Sequence, residues 1–473
     1  MRSEHEPDGS AQLPEDQALF FAGNQLMGTG DSEGAEQYFH KALALNPTFA
    51  EALCNLGLLR EQAGAATEAE DCYRQAIAFR PDGVRFHMNL GVLLMKLRRF
   101  DEAEYYHQQA LQLAPNSAEA WSNLGVLLVC TKREHEAEQC YRIALQLEAN
   151  HAKAHFNLSY LLLRRGEFEE GWHHFETRTW QWYDILYDYF SFPRWKGEPL
   201  AGKSIVISFD AGHGDMIQFC RYAVVLKSIG TAWITVVCHP TLKRLFKTLS
   251  GADEVFSLED DVAHSGWNFW TPPLSLPYYC KTRIENIPAP IPYLAADPTE
   301  AAKWLRLLDP CVLHVGLVWR GNPNFANDTA RSLPSLTILA PLGSVPGVQL
   351  ISLQKGAGED EAQSPPAGLS LLALGGSLQD FADTAALISC LDLVISVDTA
   401  VAHLAGALGK PCWILLPDYW TDWRWLQERT DSPWYLDHFR LFRTPPHGDW
   451  SHVVTAVVAA LEAWVTQRHH QLR

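Results

Sequence analysis

Two short stretches hold residue types whose spacing could do chemistry. In LVISVDTAVAHLAGALGKP, Leu393 to Pro411, an apolar, β-branched run ends at Asp398 and Thr399, and an Ala/Leu-rich segment with helical spacing follows. The first part predicts a buried strand and the second a helix, with Gly409 and Pro411 as its stop signals. A helix that opens at the carboxyl end of a strand leaves its first N–H groups unpaired and carries about half a positive charge there from the aligned peptide dipoles. An anion fits such a start, above all a diphosphate at Asp398, Thr399 and Ala400. A plainer alternative stays open: a capped helix in which Asp398 accepts from Ala400 or Val401 N–H and His403 packs one turn on.

The second stretch is DAGHGDMIQFCRY, Asp210 to Tyr222, which follows the apolar run Ser204 to Phe209. Gly212 and Gly214 allow a ligand to approach the backbone closely, and Asp215 stands where a helix should begin. A dinucleotide fingerprint would need a third glycine at 217, where Ile217 stands, so a nicotinamide cofactor is not expected. A carboxylate at the carboxyl edge of a sheet faces whatever fills the cleft; the alternative for Asp215 is a helix cap and nothing more. His213 is a candidate contact for acceptor or phosphate, or a surface histidine.

Further polar residues follow other predicted strands. After LHVGLVW come Asn322, Asp328, Arg331 and Ser332, and after VQLISLQ comes Lys355. Singly, such cations are ordinarily solvated surface charges. In a parallel sheet these loops converge on one edge, where Arg331 can grip a phosphate through two N–H groups and Lys355 acts as a point charge. The segment Leu415 to Tyr435 holds Trp420, Trp423, Trp425 and Trp434, rings that either stack on a sugar as a lid or fill the core. Arg424 either reaches sugar or phosphate or pairs with Asp422.

Strand and helix must alternate to position these groups, and from about residue 200 they do. Strands are predicted at 204–209, 234–238 and 254–257, and a helix over Met216 to Ile229. After the proline-rich crossover Ile287 to Pro298 come a helix at 300–308, strands at 313–319 and 348–354, helices at 336–342 and 381–390, and strands at 393–397 and 412–416. The expectation is two Rossmann-like α/β domains, 200–295 and 296–473, facing across a cleft, with the last helix, about 451–465, packing back on the first.

A repeat precedes them. Pro47, Pro81 and Pro115 are 34 residues apart, as are Leu56-Gly57, Leu90-Gly91 and Leu124-Gly125; Ala69, Ala103 and Ala137 keep the step. An aromatic slot reads Phe39, Tyr73, His107, Tyr141, Phe175, the histidine being the departure. The period and the small/large alternation resemble the tetratricopeptide repeat, two short helices per unit stacked into a solenoid. Units begin near 16, 50, 84 and 118, and a fifth from about 152 decays into Ser159, Gly171 and an aromatic crowd of Trp172, Phe175, Trp180 and Trp182. Residues 1–15 read as a mobile tail, 16–190 as the array with capping helices, and Ser191 to Lys203 as a connector.

Composition narrows the partners. Net charge is −17, which disfavours a nucleic-acid backbone. Ten cysteines without metal-ligand spacing read as free thiols in a reducing compartment, and neither a leader nor an apolar membrane span is apparent, so a cytoplasmic location is expected.

From about Lys203 to Trp464 the chain resembles the GT-B glycosyltransferases, closest to the heptosyltransferase-like family, through GHGDMIQFCRY, GLVWRGNP with RSLP, SLQKG and SVDTAVAHLAGALGKP. The whole is similar to a bacterial tetratricopeptide-repeat glycosyltransferase. That resemblance implies an α+α/β multidomain fold, a repeat solenoid ahead of a GT-B pair. It further implies a nucleotide-sugar donor bound by Arg331, Ser332, Gln354, Lys355, Asp398, Thr399, Ala400 and His403. Asp215 would be the catalytic base, with His213, Gly214, Asn322 and Arg424 as further acceptor or phosphate contacts. No cofactor is implied beyond the donor itself. There is no Asp-x-Asp pair of the kind that holds a divalent ion on a nucleotide sugar, and no metal is expected. The acceptor would be a protein or peptide on the concave face of the repeats. An envelope polysaccharide enzyme, an inactive scaffold and a homo-oligomer all stay open.

Overall fold

Small residues recurring every 34 positions dictate how the first helices pack. The computed structural model describes residues 13–178, 190–209, 212–262, 265–325, 327–418, 420–445 and 448–471; Trp180 and Trp182 lie outside them. The chain divides into two compact units, Met1–Leu158 and Ser159–Arg473.

The first unit is a run of antiparallel helix pairs: Glu15–Gly28 (α1) with Ser32–Leu45 (α2), Ala50–Gln62 (α3) with Ala66–Phe79 (α4), Val84–Lys96 (α5) with Phe100–Leu113 (α6), and Ala118–Cys130 (α7) with Glu134–Leu147 (α8). A fifth pair, Ala152–Arg165 (α9) and Phe168–Phe175 (α10), begins at its end. Helix starts at 50, 84, 118 and 152 reproduce the period read from sequence. In each complete pair a glycine of the first helix faces the aromatic slot of the second. A Cβ on Gly23, Gly57, Gly91 or Gly125 would lie 2.5–2.7 Å from the ring of Phe39, Tyr73, His107 or Tyr141. Ala35, Ala69, Ala103 and Ala137 are wholly buried between the pairs.

His107 is the imperfect member. Its ring is wholly buried, neither nitrogen has a partner, and burial pushes its pKa down to about 4. Phe39 fills the equivalent slot without a polar atom, so His107→Phe is expected to stabilise the array by about 1–3 kcal/mol at pH 7 by removing two unpaired buried groups. Because the folded state holds this histidine neutral, wild-type stability falls as pH drops through the unfolded value near 6.5 towards 4. That loss amounts to about 3 kcal/mol in all, and the variant should lack it. Melting curves of both proteins between pH 7 and 4 measure the difference.

In the second unit the apolar runs form two wholly parallel sheets. Ser204–Ile207 (β1), Trp233–Cys238 (β2), Glu254–Ser257 (β3) and Phe269–Thr271 (β4) take the order β3-β2-β1-β4. Leu313–Val318 (β5), Val348–Ser352 (β6), Leu371–Ala373 (β7), Leu393–Val397 (β8), Cys412–Leu416 (β9) and Phe439–Arg443 (β10) take the order β10-β9-β8-β5-β6-β7. Register pairs Val315 with Leu393 and Val394 with Cys412, so the loops after β5, β6 and β8 leave the same edge.

Four expectations need correction. The helix expected over 216–229 is two, His213–Phe219 (α11) and Tyr222–Ser228 (α12). The break falls at Arg221, whose buried guanidinium donates to the carbonyls of Gln218, Pro288 and Trp434. Leu336–Ser344 is a 3₁₀ helix, as Pro341 inside it dictates. The short strands β4, β7 and β10 were not foreseen. The final helix, Trp450–Gln471, does not cover the first lobe: Val453, Val454, Val457, Leu461 and Val465 join the core of the second, with Trp413 and Leu415 of β9.

The fifth repeat departs in packing as well as in sequence. Phe168 and Trp172 of α10 lie against Trp434, and Trp172 meets Trp423 edge-on at 5.1 Å. Among the described residues no helix is long and apolar enough to cross a membrane.

Candidate active site

The second lobe supplies a helix start with free donors. Strand β8 ends at Val397 and Ala400–Ala407 (α13) follows, with Thr399 extended at the cap and making no side-chain cap bond. Its hydroxyl pairs instead with Ser396 Oγ at 3.0 Å. The N–H groups of Ala400 and Val401 find no acceptor among the described residues, so Asp398 does not cap them. Asp398 stands beside the helix start with its carboxyl raised above the usual carboxylate range, first by burial and then by the charge of Asp422. His403 Nε2 lies 3.9 Å from it, while Nδ1 meets the Tyr435 hydroxyl at 2.9 Å and the ring stacks on Trp425. Burial and nearby arginines hold His403 neutral.

The first lobe brings the glycine loop against that helix. A Cβ on Gly214 would lie 3.0 Å from the His403 ring and 3.4 Å from the Ala400 Cα, so the loop touches the helix start only because residue 214 has no side chain. One residue on, Asp215 Oδ2 accepts from Gly212 N–H at 3.1 Å, and Oδ1 is paired with Arg424 from the second lobe. Asp215 therefore does serve its own helix start, and it faces the cleft as well. His213 stacks between His239 and Phe381 and shares a 3.0 Å hydrogen bond with Thr241; burial and His239 push its pKa down to about 4.

These groups line one cleft of about 560 Å³, which holds Gly212 to Asp215, Asn322, Arg331, Gln354, Lys355, Asp398 to Val401, His403 and Arg424. Arg331 stacks on Phe325 at 4.6 Å and donates to Asp328 at 3.3 Å, while Lys355 is exposed. Asn322 closes a turn, its side-chain oxygen accepting from Asn324 N–H. Ser332 is not among the lining residues; its hydroxyl donates to Asp328 and accepts from Gly321 N–H, both at 2.8 Å. Gln354 is buried and saturated, accepting from Trp319 and Arg320 N–H and donating to Arg320 and Ala357 carbonyls. Both shape loops rather than offer a free group. Arg424 reaches Asp422 and Asp215. Of the four tryptophans, Trp423, Trp425 and Trp434 are core and only Trp420 is exposed.

Three features escaped the sequence reading. Arg320 lines the cleft, tied to Glu361 at 2.8 Å; its place two residues past β5 was the available signal. Arg244, on Pro240–Phe246 of the first lobe, pairs with Asp380 and Asp383 of the second across the cleft mouth, which only the fold brings together. In the first unit Asn55, Asn89, Asn123 and Asn157 recur every 34 residues at one position of successive repeats. There Asn55 bonds Asn24 and Arg85 beside a cavity of about 530 Å³ lined by Phe20, Asn24, Arg80 and Arg85.

Comparison with known proteins agrees with these parts. Glycosyltransferase family 9 (heptosyltransferase) matches residues 347–415, which run from β6 through α13 to β9. Tetratricopeptide repeat matches 22–84 and 67–118, and the Cilia and flagella-associated protein 70 middle TPR-like domain matches 95–180. Protein FlbA of Caulobacter vibrioides is 28% identical over 334 residues, 63% of this chain and 53% of its own; the chain spans about half the length of the curated relative it matches. PilF of Pseudomonas aeruginosa is 24% identical over 34% of this chain and 74% of its own, with a TM-score of 0.33. A thermophilic TPR protein of Thermus thermophilus is 23% identical over 34% and 88%, with a TM-score of 0.32. The chain carries tetratricopeptide repeats followed by a glycosyltransferase family 9 (heptosyltransferase) domain.

Proposed function

We propose that the second unit moves a sugar from a nucleoside-diphosphate sugar to an acceptor hydroxyl, with inversion and without a metal, and that the acceptor is a protein or peptide engaged by the repeats. One observation carries this reading: a helix start with two free N–H groups, two cations and a carboxylate from the opposite lobe share a single cleft. The acceptor oxygen gives its proton to Asp215 as its bond to the anomeric carbon forms. The bond from that carbon to the phosphate oxygen breaks, and the diphosphate leaves with the electron pair. Its growing charge meets the Ala400 and Val401 N–H groups, Arg331 and Lys355, fixed donors in the place of an ion. A base on the lobe facing the leaving group favours a single displacement and hence inversion.

For the acceptor, the support is the row of asparagines, of which Asn89, Asn123 and Asn157 are partly exposed while Asn55 is buried on Asn24 and Arg85. A carboxamide offers a donor and an acceptor side by side, matched to the peptide groups of an extended chain.

The test is a thermal-shift panel of UDP, GDP, ADP and CDP on the full chain. A bound diphosphate at about 100 times its Kd should stabilise the protein by about 2.7 kcal/mol. Absence of a shift with every one of them would remove the donor site from this cleft.

A further inference from the structure

Arg424 occupies a position that the transfer reaction does not by itself require. It sits in the 3₁₀ turn Trp423–Trp425 of the second lobe, buried, with its guanidinium 4.5 Å over the Trp423 ring and 5.5 Å from Phe219 of the first lobe. Its donors divide between the lobes. On its own side Nη1 meets both oxygens of Asp422 at 3.0 Å, and Asp422 Oδ1 also accepts Arg424 N–H at 2.9 Å. Across the cleft Nε donates to Gln218 Oε1 at 2.6 Å and Nη2 to Asp215 Oδ1. Behind it, Trp423 is held edge-on by Trp172 of α10, so the decayed repeat fixes the turn that carries the arginine.

Resting on the base assigned above, we infer that Arg424 is the positioning residue for Asp215: it sets the carboxylate from the opposite lobe and thereby makes a competent base conditional on closure of the cleft. A guanidinium held by a carboxylate of its own lobe and a carboxamide of the other has one edge left, and that edge is on Asp215. Lysine could restore a charge but not three directional contacts. Gln218 makes the inference separable from donor binding, since it is wholly buried, does not line the cleft, and its oxygen serves Arg424.

The test measures two quantities on the full chain: kcat for release of nucleoside diphosphate from UDP-, GDP- or ADP-sugar, and Kd for the matching free diphosphate. Arg424→Gln should lower kcat about 100-fold, the scale of a misplaced catalytic group, with Kd changed less than about threefold. Arg424→Lys should recover part of the rate, and Gln218→Ala should cost about tenfold in kcat alone. Asp215→Asn combined with Arg424→Gln should be no slower than Asp215→Asn, since both act on one group. Full turnover in both Arg424→Gln and Gln218→Ala overturns the inference, as does a fall in affinity that accounts for the whole loss of rate. If Arg424→Gln does not fold, Gln218→Ala and Arg424→Lys decide. A slow Asp215→Asn beside unimpaired Arg424 and Gln218 variants removes only the role of Arg424, whereas an active Asp215→Asn removes the base itself.

Discussion

Asp215→Asn is expected to lower kcat by about a thousandfold, within the range that general bases contribute, and to leave nucleoside-diphosphate affinity unchanged within about threefold. The two effects separate because the groups do. Asp215 stands at the start of α11 in the first lobe, and the free N–H groups stand at the start of α13 in the second. Asparagine keeps the shape of the side chain, and its oxygen can still accept from Gly212 N–H, while its amide nitrogen, a donor, replaces the oxygen that accepts from Arg424. What disappears is the negative charge that accepts the acceptor's proton. Arg424 loses one carboxylate but keeps Asp422, which limits the damage that follows when a buried ion pair loses one member. Stopped assays of diphosphate release, with titration of the free diphosphate, supply both numbers.

Gly214→Val should do the opposite and strike donor binding, weakening Kd by at least about 100-fold, or about 2.7 kcal/mol. A single Cβ at this position already meets the His403 ring at 3.0 Å, and the next neighbour is the Ala400 backbone. Backbone cannot swing away as a side chain can, and two γ-methyls must enter the gap where the helix start opens. Either the lobes part or the methyls cover the donors of Ala400; in both cases the diphosphate loses its seat. Calorimetric titration with the diphosphate that gives the largest thermal shift reads the effect, and Gly214→Ala should fall between the two.

Periodicity and strand-end chemistry were legible from residues alone. The 34-residue step fixed the helix pairs because Gly57 must face Tyr73 and Gly125 must face Tyr141, a steric demand that leaves a mark in sequence. Strand ends at Asp398, Lys355 and Arg331 were legible because a parallel sheet sends its loops to one edge. What stayed hidden depends on contacts between distant residues. Ser332 and Gln354 are spent on their own loops, and nothing in RSLP or SLQKG distinguishes a hydroxyl or amide that holds backbone from one left free. The partnership of Arg424 with Asp215 spans 209 positions and leaves no local pattern, while Asp422, two residues away, was visible. The final helix carries a stripe that fits any apolar face, and only its burial with Leu339, Leu342, Trp413, Leu415 and Phe442 of the second lobe decides where it lies.

The division of labour between the lobes can be measured in one experiment: titration of the best-shifting nucleoside diphosphate into wild type, Asp215→Asn and Gly214→Val side by side. Equal Kd values for the first two and a Kd weaker by at least about 100-fold for the third are the predicted result. Loss of binding in Asp215→Asn, or wild-type affinity in Gly214→Val, would contradict a diphosphate seated on the helix start at Ala400 with its base on the opposite lobe.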